Sequence, residues 1–99
     1  MASIGYMTPA GSASALGITT ATVVKTGKGV LYSIAEIVDG NAAGAVYDSA
    51  STTGNSTANQ IATIPSTGGT IDNISLPFVF VNGLVVVPGT GQTLAVSYS

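Results

Sequence analysis

Residues 76–99 have the sequence LPFVFVNGLVVVPGTGQTLAVSYS, which holds three apolar runs and no charged side chain. The first run, Phe78–Val81, is aromatic and β-branched, and such residues favour a pleated strand over a helix. The second run is Leu84–Val87. The third, Leu94–Tyr98, alternates large apolar and small residues at a period of two, which is typical of a strand with one buried face. This stretch predicts a buried antiparallel core, and the rest of the chain must supply the facing sheet.

The dipeptide Asn82-Gly83 separates the first two runs. Both of its positions tolerate positive φ, which makes the pair a strong two-residue signal for a β-hairpin. The sequence therefore favours a hairpin that turns Phe78–Val81 back onto Leu84–Val87. A single long strand with a glycine bulge at Gly83 is the competing interpretation. Cross-strand hydrogen bonds between the two runs distinguish these alternatives.

Further strands are predicted upstream, where β-branched and apolar residues lie between turn-forming residues, at 18–26, 30–38, 45–48 and 60–64. Gly, Pro, Asn and Asp separate these runs, and each of them favours turns. Turns recur about every eight to twelve residues, the spacing of a sandwich or jelly roll. The predicted fold is all-β, a single antiparallel β-sandwich that is jelly-roll-like and has seven or eight short strands. Only Ser56–Ile61 carries a helix signal, and it is weak.

One set of side chains from the apolar runs is predicted to be largely buried. The set is Val30, Tyr32, Ile34, Ile61, Ile64, Phe78, Val85, Val87, Leu94 and Val96.

Charged residues are scarce: two are basic and four are acidic, 6% of the chain. Average proteins carry about 25%. Two basic side chains cannot form the clustered positive field that binds nucleic acid, and they argue equally against an anionic membrane surface. Pro and Gly interrupt both long uncharged stretches, so no membrane span is expected. So little charge gives copies little repulsion, which favours a chain that works within an assembly.

A signal peptide is also not expected. No Lys or Arg precedes Lys25, and Ala2–Ala15 lacks the continuous apolar segment that such a peptide requires. The sequence therefore predicts that the mature chain starts near Met1 and is made in a cytoplasm.

The chain contains neither His nor Cys. Ser-His and Cys-His nucleophile pairs, disulfides, and zinc sites with His or Cys ligands are therefore excluded. Asp39 and Asp48 flank one predicted turn and could approach each other across a hairpin, but solvation at a turn and a strand end is the favoured interpretation. A calcium site built from them and Asn41 would need six to eight oxygen ligands. Glu36 is expected on an edge strand or paired with a lysine. The sequence predicts no enzyme, no cofactor and no metal site.

The N-terminal segment Met1–Leu16 is small and polar except for a few apolar residues. Three interpretations remain: a loose terminus, an arm that orders against a neighbouring subunit, and a strand of the domain's own sheet. The predicted division of the chain is an N-terminal arm at 1–16 and a β-sandwich domain at 17–99. We hypothesise that the arm contacts a partner through Ile4, Tyr6 and Met7.

Ser49–Asn59 forms a polar loop that is long for a compact domain. Such loops are usually functional or mobile. It is either an exposed, adaptable loop or a second contact surface. In the second case its contact residues are Ser51, Thr52, Thr53 and Asn55.

Several short segments share a pattern with a known family. They are Gly29–Ile34, Val46–Asp48, Pro77-Phe78, Asn82–Val87 and Val96–Tyr98. Together they resemble small β-sandwich virion proteins of tailed bacteriophages. The resemblance spans about residues 29–99 and consists of strand and turn residues. Among these virion proteins are capsid decoration, or cement, proteins, which sit on the outer face of the head and brace neighbouring major capsid subunits.

The resemblance implies a jelly-roll-like domain, symmetric homo-oligomers and contacts through termini and loops. It implies two partners, the major capsid protein and further copies of the chain, and a location on the capsid exterior of the virion. The composition agrees with this role, since a decoration protein needs packing and polar contacts but no active site. The alternative is a receptor- or glycan-binding module of a phage tail fibre or adhesin, which would need an aromatic platform beside Asp or Asn.

Overall fold

The computed structural model describes residues 13–67 and 76–99, and eight strands make up most of that part of the chain. The strands are β1 (Ala13–Ile18), β2 (Thr22–Thr26), β3 (Gly29–Val38), β4 (Gly44–Asp48), β5 (Gln60–Ile64), β6 (Phe78–Phe80), β7 (Gly83–Val87) and β8 (Thr93–Tyr98). One 3₁₀ turn at Thr57–Asn59 lies where the weak helix signal was found. Among the described residues, no helix is long and apolar enough to cross a membrane.

The strands form two four-stranded sheets. Sheet A has the order β1-β8-β3-β6, and sheet B has the order β2-β7-β4-β5. The antiparallel pairs β1–β8, β2–β7, β3–β6 and β4–β5 are nested, so that β1–β4 form one arm of a long hairpin and β5–β8 form the other. The pairs β3–β8 and β4–β7 roll that hairpin into two layers. This is the jelly-roll arrangement, and the predicted all-β antiparallel sandwich is confirmed.

The core lies between the two sheets, because alternate residues of each strand point inward. Burying a side chain of this kind stabilises the fold by about 1.5–3 kcal/mol. The buried cluster is made of Ile18, Leu31, Ile34, Val46, Ile64, Phe80, Leu84, Val86, Leu94 and Val96.

A bulge in β3 changes which of its side chains reach this core. The register with β8 shifts between Leu31 and Ser33, which leaves Tyr32 as an extra residue. A bulge moves the alternation by one position. Leu31 and Ile34 are therefore both buried, although strict alternation would place them on opposite faces.

The predicted set of buried residues is partly confirmed. Ile34, Ile64, Val85, Leu94 and Val96 are buried, whereas Val30, Tyr32, Ile61 and Val87 are half-buried. The prediction is wrong for Phe78, which is 38% exposed. Phe78 begins the edge strand of sheet A, and a residue there has a neighbouring strand on one side only.

Asn82-Gly83 does not form the predicted hairpin. β6 pairs with β3 in sheet A, while β7 pairs with β2 and β4 in sheet B. The bulge alternative is wrong as well, because the two runs share no neighbouring strand. The chain crosses from one sheet to the other at this dipeptide. Gly83 is needed there because a Cβ would lie 2.7 Å from the carbonyl oxygen of Lys25.

The predicted strand at 18–26 is also divided between the sheets. The chain leaves sheet A after Ile18 and enters sheet B at Thr22. The predicted boundary between residues 16 and 17 falls inside β1, so residues 13–16 form a strand of the domain's own sheet. Residues 1–12, with the proposed contact residues Ile4, Tyr6 and Met7, lie outside the described residues.

Candidate functional site

Asp48, the last residue of β4, holds the crossover between β6 and β7. Its carboxylate accepts hydrogen bonds from the backbone N–H groups of Val81 (3.0 Å), Asn82 (2.7 Å) and Gly83 (3.3 Å). Consecutive N–H groups that converge in this way form a nest suited to an anion. Bonds to a charged acceptor are also stronger than neutral ones. The Asp48 carboxylate therefore fixes the crossover in place.

Replacing Asp48 with alanine should lower the free energy of unfolding by about 1.5–3 kcal/mol, since hydrogen bonds to a charged group contribute on this scale. Asp48→Asn should lose less, because its amide oxygen still accepts. Denaturant titration measures both values. Asp39→Ala is the matched control: Asp39 is exposed in a loop, so its loss should stay within about 0.5 kcal/mol. Equal effects at the two positions would contradict the role assigned to Asp48.

Gln92 is the one polar residue that is fully buried among the described residues, with 1% of its surface exposed. Its Nε2 donates to Glu36 Oε2 (2.8 Å) and to the carbonyl oxygen of Pro65 (2.8 Å). Its Oε1 accepts from the N–H of Gly89 (3.0 Å). These residues form what we call the Gln92 cluster. It ties β3, the segment after β5 and the β7–β8 loop together at one end of the sandwich.

The Gln92 cluster explains the position of the Glu36 side chain. β3 is an internal strand of sheet A, so the edge-strand alternative for Glu36 is wrong. Register pairs Glu36 with the core residue Leu94, which places its side chain on the inner face. A carboxylate on that face requires hydrogen-bonding partners, and the amide of Gln92 is one of them.

The two aspartates considered for calcium do not meet. Asp39 follows β3 in sheet A, near the end of the sandwich that holds the Gln92 cluster. Asp48 ends β4 in sheet B at the other end and accepts from backbone N–H groups. Asp39 and Asp48 therefore do not approach each other across a hairpin, the arrangement that the sequence had left open. No group of three metal-ligating side chains occurs in residues 13–67 and 76–99.

The loop from Ser49 to Asn59 is exposed but carries many internal hydrogen bonds. Asn55 Nδ2 donates to the carbonyl oxygen of Ser51 (2.8 Å), and Asn59 Nδ2 donates to Asn55 Oδ1 (2.9 Å). Ser56 caps the 3₁₀ turn by accepting from the N–H of Ala58. The predicted contact residues Ser51, Thr52, Thr53 and Asn55 thus share one loop, and Ser51 and Asn55 support its shape.

The outer face of sheet A is built from small and apolar side chains. Register across β1, β8 and β3 aligns Ser14, Ser97 and Ser33 in one row and Ala95 with Ala35 in the next. Larger apolar side chains stand at the margins: Leu16 (74% exposed), Val38 (50%) and Val79 (64%). The described charged side chains lie elsewhere, on the β2 side, in loops or on inner faces. As far as the described residues show, this face therefore offers apolar contact without a charged side chain.

A shallow depression of about 310 Å³ follows the edge strand β5. Its lining residues are Thr57, Gln60, Ile61, Ala62 and Thr63. Gln60 Nε2 donates to Thr63 Oγ1 (2.8 Å) and to the carbonyl oxygen of Ala62 (3.2 Å). The lining offers hydroxyl and amide groups, and Tyr47 pairs with Gln60 on the neighbouring strand.

No protein-family model, curated protein or solved structure matches the chain.

Sequence reasoning missed the Gln92 cluster. A single amide between a glycine-rich turn and a strand has no distinctive pattern, and its three partners come from distant parts of the sequence. The Asp48 contact was missed for a related reason. The hairpin interpretation gave the N–H groups at Asn82-Gly83 partners within their own segment, so none was left for a distant carboxylate.

Proposed function

We propose that the chain is a structural virion protein of a tailed phage. Its most specific assignment is a capsid decoration, or cement, protein that binds the outer face of the major capsid lattice and stabilises the head. It acts without catalysis or a cofactor. Its partners are the major capsid protein and further copies of itself, and it works on the capsid exterior after synthesis in the host cytoplasm.

The observation that carries this proposal is that the carboxylates of Asp48 and Glu36 are hydrogen-bonded within the fold. The Asp48 carboxylate binds the β6–β7 crossover, and Glu36 lies against the buried amide of Gln92. Among the described residues, the one further acidic side chain is that of Asp39, which lies in an exposed loop. Carboxylates engaged in this way hold loops rigid and leave little for general acid–base chemistry, which needs a free, positioned group.

Fold and surface support the same role. Jelly rolls occur in viral capsid proteins as well as in lectin domains and cupins, so the fold alone does not choose a function. The resemblance of the strand and turn segments to phage virion proteins favours the capsid. An uncharged outer face on sheet A suits packing against other protein surfaces, since the centres of interfaces are depleted in charge.

The test is binding to tailed-phage heads from which accessory proteins have been removed. The purified chain should cosediment with the heads to a saturable, symmetric stoichiometry and raise the temperature at which they release DNA, because a ligand of the native state stabilises it. As a control, the same heads are mixed with the Ala35→Lys variant, which carries an added charge on the outer face of sheet A. Failure to bind any such head, while free tail fibres or host cell surfaces are bound, would overturn the capsid assignment.

The N-terminal arm is tested with the same heads. Truncation has to stop before Ala13, since β1 starts there. Removal of residues 1–12 should leave the melting transition in place and weaken binding to heads if Ile4, Tyr6 and Met7 make contacts. Unchanged occupancy would remove the arm from the proposal, and the Ser51–Asn55 segment would remain as the candidate contact.

The depression along β5 favours the second candidate, a glycan- or receptor-binding module of a tail fibre or adhesin. Its threonine hydroxyls and the Gln60 amide are groups that hydrogen-bond sugars. Tyr47 lies beside it on the outer face of sheet B. A glycan array decides between the two functions: saturable binding that Gln60→Ala abolishes supports the module.

A further inference from the structure

We propose that Asn82-Gly83 is a self-modification site: when the crossover between β6 and β7 opens, the side chain of Asn82 deamidates and part of the product is isoaspartate. The reactive groups are the side-chain amide of Asn82 and the backbone nitrogen of Gly83, and the co-reactant is water. This inference concerns the isolated chain, so it holds or fails independently of any capsid.

The reaction proceeds in two steps, and Gly83 supplies the nucleophile. Its backbone nitrogen gives up a proton and forms a bond to Cγ of Asn82, while the bond from Cγ to the side-chain nitrogen breaks. That nitrogen takes up the proton and leaves as ammonia, and a succinimide ring remains. Water then adds to one of the two ring carbonyl carbons and breaks its bond to the ring nitrogen. The product is aspartate or, when water attacks the main-chain carbonyl carbon, isoaspartate.

Asn82 is the asparagine of this chain best suited to the reaction, because glycine follows it and has no Cβ to hinder the attack of its nitrogen. Asn41, Asn55, Asn59 and Asn73 precede alanine, serine, glutamine and isoleucine. The side chain of Asn82 is also exposed and has no hydrogen bond to another described residue. Those of Asn55 and Asn59 are held by hydrogen bonds within their loop.

The native fold fixes the reactive peptide group at both ends. The carbonyl oxygen of Asn82 accepts from the N–H of Gly27 (2.9 Å), and the N–H of Gly83 donates to Asp48 Oδ1 (3.3 Å). The carbonyl oxygen of Gly83 accepts from the N–H of Ser49 (3.1 Å). The attack consumes the N–H that Asp48 binds, and closure of the ring has to rotate the peptide group. The reaction is therefore confined to molecules in which the crossover has opened locally.

The charge of Asp48 opposes the same step. The Gly83 nitrogen becomes negative as its proton leaves, and the Asp48 carboxylate lies 3.3 Å from that nitrogen. A neighbouring group of like charge disfavours such an ionisation. Asp48 thus slows the reaction both by fixing the backbone and by its charge.

Either product weakens the contact that Asp48 makes. An aspartate product adds a negative charge to the residue whose N–H lies 2.7 Å from Asp48 Oδ1. An isoaspartate product lengthens the main chain between Asn82 and Gly83 by one carbon atom, so their N–H groups no longer converge on the carboxylate as a nest requires. A chain that has reacted should therefore open its crossover more readily than an unmodified one.

The experiment compares the full chain when folded and when unfolded in urea, at mildly alkaline pH. Peptide mapping by mass spectrometry detects the exchange of NH₂ for OH at each asparagine, and chromatography separates the aspartate and isoaspartate products. In urea, Asn82 should react before the other asparagines. In the folded chain its rate should be lower by about tenfold or more, because hydrogen bonds to a charged group reduce the open population on that scale.

Asp48→Ala tests the role of the carboxylate. It should raise the rate at Asn82 in the folded chain by about tenfold or more, whereas Asp39→Ala, which removes a carboxylate from an exposed loop, should leave that rate unchanged. Low urea concentrations, below the unfolding transition of the wild-type chain, provide a measurement that needs no variant. The rate at Asn82 should rise with them, because local opening is favoured before the whole domain unfolds.

Four results would overturn the proposal. Equal rates in the folded and unfolded chain would mean that the fold does not restrain Asn82, and an unchanged rate in Asp48→Ala would mean that Asp48 has no part in it. A slower reaction in Asp48→Ala would mean that the carboxylate promotes the attack as a general base. Reaction of another asparagine before Asn82 in urea would place the site elsewhere.

Discussion

Gln92→Leu should lower the free energy of unfolding by about 3–5 kcal/mol. Leucine fills a similar volume but makes none of the three side-chain hydrogen bonds of Gln92. The N–H of Gly89 would then be buried without this partner, which costs about 1–3 kcal/mol, and the part-buried carbonyl of Pro65 would lose a donor as well. Glu36 would also lose the donor Nε2 of Gln92, which adds to the loss. A domain of this size has about 5–15 kcal/mol in total, so the loss should be visible as a large shift of the denaturation midpoint.

Gln60→Leu is the matched control for this change. Gln60 also donates two hydrogen bonds from Nε2, but it lies half-buried on an edge strand, where water can replace its partners. Its loss should cost at most about 1 kcal/mol. Equal destabilisation by the two variants, or a loss below about 1 kcal/mol at Gln92, would show that the Gln92 cluster does not hold the loops together.

Gly89→Ala should also destabilise the protein severely, by about 3 kcal/mol or more. A Cβ at this position would overlap the carbonyl oxygen of Ala42 and lie 2.9 Å from the carbonyl carbon of Ala43. These are backbone atoms, so no side-chain rotation relieves the clash and two loops must separate. Overpacking of this kind costs about 1–3 kcal/mol even where side chains can adjust. Thermal and denaturant unfolding both measure the loss.

Gly54→Ala separates this steric effect from backbone strain. Gly54 has φ +77° in the Ser49–Asn59 loop, and nothing lies within 4 Å of a Cβ built there. Its replacement costs only the left-handed conformation, about 1–2 kcal/mol. If Gly54→Ala proved as harmful as Gly89→Ala, the close approach of the two loops at Gly89 would not be the reason for the glycine.

Strand positions were predictable because they depend on local patterns. β3, β4 and β5 begin and end within one residue of the runs identified at 30–38, 45–48 and 60–64. Apolar alternation in Leu94–Tyr98 likewise indicated which side of β8 faces the core. Local residue preferences and a period of two suffice for such assignments.

The division of strands between the sheets could not be predicted in the same way. Asn82-Gly83 has the composition of a hairpin turn, yet it connects two sheets, because β3 already pairs with β6 while β2 and β4 enclose β7. Pairing partners are selected by the whole core, and a tight-turn dipeptide only permits the change of direction. The bulge at Tyr32 likewise made burial hard to predict, because one extra residue reverses the face of the residues that follow it, here as far as the second register shift after Glu36.

Polar contacts were the least predictable feature. Asp48 lies more than 30 positions from the N–H groups it binds, and Gln92 lies 56 positions from Glu36. Neither pair leaves a spacing pattern in the sequence. A charge-poor chain offers one general signal: when few carboxylates are present, each of them is a candidate for holding a loop in place.

The nested pairing of strands also governs when the protein can fold. β8 is synthesised after the other seven described strands, yet it lies between β1 and β3 in sheet A. Until Tyr98 has been synthesised, β1 lacks its one partner among the described strands, and β3 can pair with β6 alone among them. Folding must therefore wait for nearly the whole domain, and pairings between such distant segments form slowly. Apolar strands that are exposed during that interval are prone to aggregation.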